Sequence, residues 1–192
     1  MNPRARAVGL ALALAAPLRA GDAFGHRPYR EAPAASLADA GDYRSSGRTV
    51  RLTKDAAAAW KSMVAAAARD GVQLIPISGF RPVSYQRGLF KRATKKYGSP
   101  RDAARWVAPP GHSEHHTGLA LDLGDGARPD TDVDQRFEST PAHRWLTQHA
   151  REHGFELSFP KDNPQGVSHE PWHWRWIGST EGKRLFHPAD RP

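Results

Sequence analysis

Apolar and polar residues alternate with period two in two short stretches of this chain, and each stretch carries reactive side chains on its polar beat. Leu119, Leu121 and Leu123 alternate with Ala120 and Asp122. A strand here has one apolar face and turns Asp122 the other way, beside a small Ala120 that leaves room. Trp172, Trp174 and Trp176 alternate with His173, Arg175 and Ile177. The tryptophans therefore face one way, and His173 and Arg175 the other. Pro171 fixes the start of that strand, where a missing N–H costs least.

Upstream the period is helical. Thr53 is a good N-cap for a helix over Lys54 to Asp70, with Ala56 to Ala59 and Ala65 to Ala68 as strong formers and Gly71 as the stop. Val72 to Ile77 is predicted as a strand that delivers Ser78-Gly79-Phe80-Arg81 to a turn. Ser84 opens a second helix to Tyr97, closed by Gly98; its Lys91, Arg92, Lys95 and Lys96 read most simply as a solvated face. Ser99-Pro100 opens a short helix to Trp106, and Ala108-Pro109-Pro110-Gly111 is a turn. Thr140-Pro141 starts a helix ending at Gly154, Phe155 to Phe159 is a strand, and Lys161 to Ser168 is a loop. Helices precede strands rather than alternating with them. That order predicts an α+β fold, a small central antiparallel sheet flanked by helices.

Composition narrows the organisation. The 192 residues allow one domain with a real core, plus a tail. Arg4 and Arg6 precede a short apolar stretch from Ala7 to Leu18, and small residues follow at Ala20, Gly21 and Ala23. Residues 1–23 thus read as a secretory signal, too short to span a bilayer as a mature helix. The expected location is exported, in the periplasm or cell envelope, with no stable membrane insertion after cleavage. Residues 24–47 are rich in Ala, Gly, Pro and charge with no sustained period, a linker ordered only where it lies on the domain. Residues 48–186 form the expected globular domain. The absence of cysteine rules out disulfides and thiolate ligands. A net charge of +8 attracts polyanions. The basic residues are scattered and no nucleic-acid motif accompanies them, so an anionic cell wall suits better than nucleic acid.

Candidate chemistry lies in Ser113-Glu114-His115-His116-Thr117-Gly118-Leu119-Ala120-Leu121-Asp122 and, about fifty residues on, Glu170-Pro171-Trp172-His173. Taken singly, each residue has a plain alternative. His115 would serve as a surface histidine, Asp122 would need an Arg partner, and His173 could be a satisfied core ring. Together they offer two imidazoles and a carboxylate, the three-ligand set of a catalytic zinc site with one position left open. Glu170, just before Pro171, is the spare carboxylate within reach of the same point. Arg81, after Ser-Gly on a turn, suits an anion. Gln86 and Ser113 could each simply cap a helix or turn.

The string Ser-x-His-x-x-Gly-x-Ala-x-Asp with a later Glu-x-x-His resembles the zinc D-alanyl-D-alanine carboxypeptidases of the vancomycin-resistance (VanY) type, a group related to lysostaphin-like peptidases and hedgehog domains. Ser78-Gly79-Phe80-Arg81-Pro82 with Tyr85-Gln86, the Trp145 to Pro160 stretch and Glu170 to Arg175 extend the likeness over about residues 50 to 180. The resemblance implies Zn2+ held by His115, Asp122 and His173. It implies Glu170 as general base and then acid, Arg81 at the oxyanion, and Ser113 and Gln86 at the substrate's C-terminal end. The implied substrate is a peptidoglycan stem peptide, losing its terminal D-alanine. L,D-carboxypeptidase or lysin-like endopeptidase activity, and a non-catalytic zinc-stabilised binding module, are the other readings. The chain departs from the pattern with His at 116 where Gln is frequent, Phe80 for a frequent Tyr, and Trp176 where Tyr is common.

Overall fold

The computed structural model describes residues 23–44 and 46–187; the signal assignment falls almost wholly on residues 1–22, outside them. Strands β1 (Leu37–Asp42) and β2 (Thr49–Thr53) pair antiparallel as a two-stranded ribbon. Helix α1 (Lys54–Arg69) follows directly, burying Ala56, Ala57, Trp60, Met63 and Ala67 at helical spacing. Thr53 stands at the N-cap, yet its hydroxyl makes no capping bond. Asp55 places favourable charge in the first turn instead. The Trp60 indole N–H donates to the Ala40 carbonyl at 2.7 Å and ties α1 to β1.

The remaining elements are β3 (Leu74–Ser78), α2 (Val83–Tyr97), α3 (Pro100–Ala104), β4 (Ala120–Asp125), α4 (Pro141–His149), β5 (Phe155–Leu157), β6 (His173–Trp176) and α5 (Thr180–Phe186). A second sheet runs β3-β4-β6-β5, antiparallel throughout. The architecture is thus α+β with two small antiparallel sheets rather than one. The sequence pattern does not announce the added ribbon, because β1 lies in residues 24–47, which read as a linker without period.

Periodicity set the faces of the central strands. Leu119, Leu121 and Leu123 join Trp172, Trp174 and Trp176 in the core with Trp60, Met63, Phe137 and Phe155. Burying each large apolar side chain contributes roughly 1.5–3 kcal/mol. Asp125, the last residue of β4, accepts from the Ala142 and Ala127 amides and so docks the start of α4 on the sheet. Thr140 caps α4 by accepting from the His143 amide. The predicted helix to Gly154 is α4 followed by a 3₁₀ turn over Ala150–His153. The strand predicted to Phe159 ends at Leu157, because Ser158 and Phe159 turn toward the site.

Residues 23–36 are laid along the domain as a strap. The Tyr29 amide donates to the Gly111 carbonyl at 2.8 Å and the Ala32 amide to the His116 carbonyl at 2.8 Å. The Arg27 guanidinium reaches the Phe186 carbonyl at 3.0 Å, and Glu31 accepts from the Val83 amide at the start of α2. Backbone bonds to loops, rather than an amphipathic face, hold this segment, and such bonds leave no hydropathy signal. Among the described residues no helix is long and apolar enough to cross a membrane.

Candidate metal centre

β4 and β6 are neighbours in register, with Asp122 opposite His173. Directly opposed residues on one face of a sheet stand within reach of each other. The third group comes from a 3₁₀ turn over Glu114–Thr117, ended by Gly118 at φ 66° in the left-handed region that favours glycine. That reversal carries His115 back over the start of β4. His115, Asp122 and His173 each present a ligand atom, all within 4.8 Å of one another, and all three residues are buried.

The partners of each ring decide which nitrogen is turned inward. His115 Nδ1 donates to the Gly79 carbonyl at 2.7 Å. Its Nε2 faces Asp122 Oδ1 at 3.2 Å without making a hydrogen bond, a buried and unsatisfied nitrogen. Gly79 packs against β2 on its other side because it lacks a side chain: a Cβ there would come 2.3 Å from the Arg51 carbonyl oxygen. His173 Nε2 is bonded to Glu114 Oε2 at 3.0 Å, which leaves Nδ1 pointing at Asp122 Oδ1, also at 3.0 Å. An imidazole whose far nitrogen is fixed by a carbonyl or carboxylate is the usual arrangement of a metal-binding histidine. The donor set, two nitrogens and one carboxylate oxygen, fits zinc.

Burial and neighbouring charges shift the acidity of each group in this cluster. Burial alone would lower the His173 pKa, but bonds to Asp122 and Glu114 raise it to about 10. Burial raises Asp122, and His115 and His173 outweigh it, so the carboxyl stays well below the usual range. His115 falls to about 4, through burial and then the Arg81 charge. Glu170 lies across the cluster with Oε2 3.8 Å from His173 Nδ1. Burial pushes its carboxyl up to about 8, against the pull of His173 and with added repulsion from Asp122. Arg81 Nη2 stands 3.9 Å from Asp122 Oδ2, and its Nε has no partner. All these groups line one cleft of about 230 Å3, with Gln86 and Ser113 in its wall.

Gln86 and Ser113 do not cap. Ser113 makes no capping bond at the head of the 3₁₀ turn. Gln86, buried inside α2, donates Nε2 to the Ala108 carbonyl at 2.8 Å and leaves Oε1 unpartnered. His116 is not placed as a ligand. Its Nδ1 donates to the Arg81 carbonyl at 2.6 Å and its Nε2 accepts from the Gly111 amide at 3.1 Å. With the His115 carbonyl accepting from the Arg81 amide at 3.1 Å, it clamps the Arg81 backbone at the cleft.

The sequence model of the D-alanyl-D-alanine carboxypeptidase (VanY) family matches residues 49–179, which contain every one of these groups. The chain belongs to the VanY family. Among curated relatives, the D-alanyl-D-alanine carboxypeptidase of Enterococcus faecalis is 32% identical over 133 residues, covering 64% of this chain and 47% of that protein. The VanXYC dipeptidase and carboxypeptidase of Enterococcus gallinarum, both activities directed at D-Ala-D-Ala, is 33% identical over 137 residues, covering 69% of this chain and 70% of that protein. The Bacillus subtilis protein YodJ is 35% identical over 135 residues, 69% of this chain and 48% of its own length. The chain therefore spans about half the length of two of these three relatives. Among solved structures, the LdcB LD-carboxypeptidase superposes with a TM-score of 0.70 at 30% identity, covering 85% of this chain and 78% of that one. A variant of the VanY D,D-pentapeptidase in complex with Zn(II) gives a TM-score of 0.61 at 28% identity, covering 84% and 89%.

Two parts of this VanY-family site escaped the sequence reading. Glu114 is one: buried, it accepts from the Ser158 hydroxyl at 2.7 Å and pairs with Arg175 at 2.9 Å while holding His173. Burial alone would raise its carboxyl, and Arg175, His173 and Ser158 together keep it well below the usual range. The signal was present in the shared off-beat of His173 and Arg175, which one carboxylate can span. The other is His26, from the strap and outside the family match. It lines the cleft, bonds the Ala104 carbonyl at 2.7 Å and sits edge-on to Phe159, which in turn packs on His173. No sequence pattern linked it to the site.

Proposed function

We propose that the protein is a zinc-dependent D,D-carboxypeptidase that removes the C-terminal D-alanine from peptidoglycan stem peptides, exported to the cell envelope. Membership of the VanY family supports the reaction class. The observation that carries the reading is the buried, unsatisfied Nε2 of His115 converging with Asp122 and His173 Nδ1, in the cleft that also holds Glu170 and Arg81. Zinc held by His115, Asp122 and His173 would supply Lewis acidity to the scissile carbonyl and to the attacking water.

The chain's own groups account for the rest. Glu170 accepts a proton from the water as its oxygen bonds to the carbonyl carbon. Burial raises the Glu170 carboxyl above the usual range, which favours the later return of that proton. Arg81 offers an unpartnered Nε–H to the oxyanion of the tetrahedral intermediate. As the C–N bond breaks, Glu170 returns the proton to the leaving amine and free D-alanine departs. Ser113 and Gln86 hold the substrate's C-terminal end from the cleft wall. Glu114 keeps His173 Nδ1 turned toward the ligand cluster, and the His116 clamp keeps Arg81 in place.

A second reading, L,D-carboxypeptidase, is favoured by the likeness to the LdcB structure. Mass spectrometry of a muramyl pentapeptide ending in D-Ala-D-Ala and of the matching tetrapeptide, with zinc-loaded and chelated protein, separates the two. The expected result is loss of one alanine from the pentapeptide, abolished by chelator and restored by zinc. Trimming of the tetrapeptide alone would move the assignment to L,D chemistry. An internal cut would make it an endopeptidase, and no cleavage by zinc-loaded protein would sink the catalytic reading.

A further inference from the structure

The outer face of α2 is basic along its length. Arg87, Lys91, Arg92, Lys95 and Lys96 are exposed, and Arg101 in α3 and Arg105 just after it extend the patch. At 3.6 residues per turn the five α2 cations occupy roughly half of the helix circumference. Residues 83–106 carry seven basic side chains and one acid, Asp102, and so hold six of the chain's eight net positive charges. Asp102 is itself bonded to the Ser99 hydroxyl. None of the seven cations meets a carboxylate at ion-pair distance among the described residues, whereas Arg44, Arg128, Arg136, Lys161 and Arg175 each do. Arg87, Lys91 and Lys95 succeed one another at i,i+4, as do Arg92 and Lys96, a spacing at which like charges destabilise a helix. The i,i+4 repulsion costs the fold something, and no ion pair offsets it among the described residues.

The same helix builds the cleft. Gln86 and Leu89 line it from the inner side, and Trp106 lines it from beyond α3. Trp106 stacks on Tyr97 with ring centroids 6.3 Å apart, and the Lys96 ammonium sits 4.8 Å over the Tyr97 ring. Tyr85 is 50% exposed and Trp106 37%. A continuous path thus leads from the cations, across exposed aromatic rings, into the cleft.

We infer that the α2–α3 face holds the peptidoglycan polymer, with carboxylates of neighbouring stem peptides on its ammonium and guanidinium groups and sugar faces against Tyr85 and Trp106, while one stem enters the cleft. This partner rests on the proposed function and deepens it: the enzyme works on polymer in preference to free peptide. Charge complementarity favours it, since a face with seven cations to one acid beside the cleft matches a polymer carrying a carboxylate at every stem.

The test replaces Arg87, Lys91 and Lys95 by Glu in the full chain, none of them part of the catalytic machinery. Alanine release is compared on soluble pentapeptide and on insoluble sacculi whose stems end in D-Ala-D-Ala, with co-sedimentation measured alongside. Turnover of the soluble peptide should be unchanged, while sacculus binding and release fall about tenfold or more. Added salt should bring the parent protein down toward the variant. Equal behaviour of parent and variant on sacculi would overturn the inference. So would tighter retention of the parent by a DNA duplex than by sacculi, which would give the face to nucleic acid. Should the triple reversal fail to fold, Lys91→Gln with Lys95→Gln should give a smaller loss of the same selective kind. If the parent leaves soluble peptide uncut, the catalytic reading fails, and co-sedimentation still decides the face.

Discussion

At the scale of single residues, the site divides into groups that would touch the reacting atoms and groups that hold those in place. Glu170 belongs to the first. Glu170→Ala should retain stoichiometric zinc, measured by elemental analysis, while kcat falls about 10²–10⁴-fold; full activity would remove it from the mechanism. Glu114 belongs to the second. Glu114→Gln keeps its size but withdraws charge from both His173 and Arg175. Zinc affinity by chelator competition should drop about 10–100-fold, and urea denaturation should show a loss of about 3–5 kcal/mol from a broken buried pair. The pH dependence follows from His173. Its folded pKa, about 10, lies above the ordinary 6.5. In the metal-free protein this stabilisation is present below pH 6.5 and is lost as pH rises through 10. Zinc must displace that proton, so apparent affinity should rise with pH by about tenfold per unit for each proton displaced. A flat profile between pH 6.5 and 9 would show that His173 holds no displaceable proton in that range.

At the scale of elements, strands supply rigidity and loops supply reach. Asp122 and His173 were legible because each sits on the polar beat of a strand whose other beat is leucine or tryptophan. His115 was legible only jointly with them, since nothing in a 3₁₀ turn fixes direction until Gly79 receives its ring proton. The strap was not legible. It has no period, and its bonds run from backbone to loops far away in sequence, Tyr29 to Gly111 and Ala32 to His116. Its His26 nevertheless walls the cleft. Replacing His26 by Ala should raise KM for soluble pentapeptide severalfold with kcat little changed, because the ring bounds the cleft without joining the proton transfers. A change in kcat alone would contradict that placement.

At the scale of the whole molecule, the two small sheets and five helices of the described residues bring together His115, Asp122 and His173, a group that could hold a metal ion. A ligand that binds only the folded state stabilises it by mass action, about 2.7 kcal/mol at a hundredfold excess over Kd. Chelation should therefore lower the melting temperature, and zinc should restore it. The linear chain by itself determined the α+β class and the apolar faces of β4 and β6 through its period, and the metal-binding candidates through residue type and motif, because these are properties of sequence alone. Tertiary structure alone decided that His116 clamps Arg81, that Glu114 and Arg175 support His173, that a strap walls the cleft, and that the basic face of α2 adjoins it. Each of these is a contact between residues distant in sequence or a choice between two ring nitrogens. Only the packed fold brings such groups within hydrogen-bonding distance.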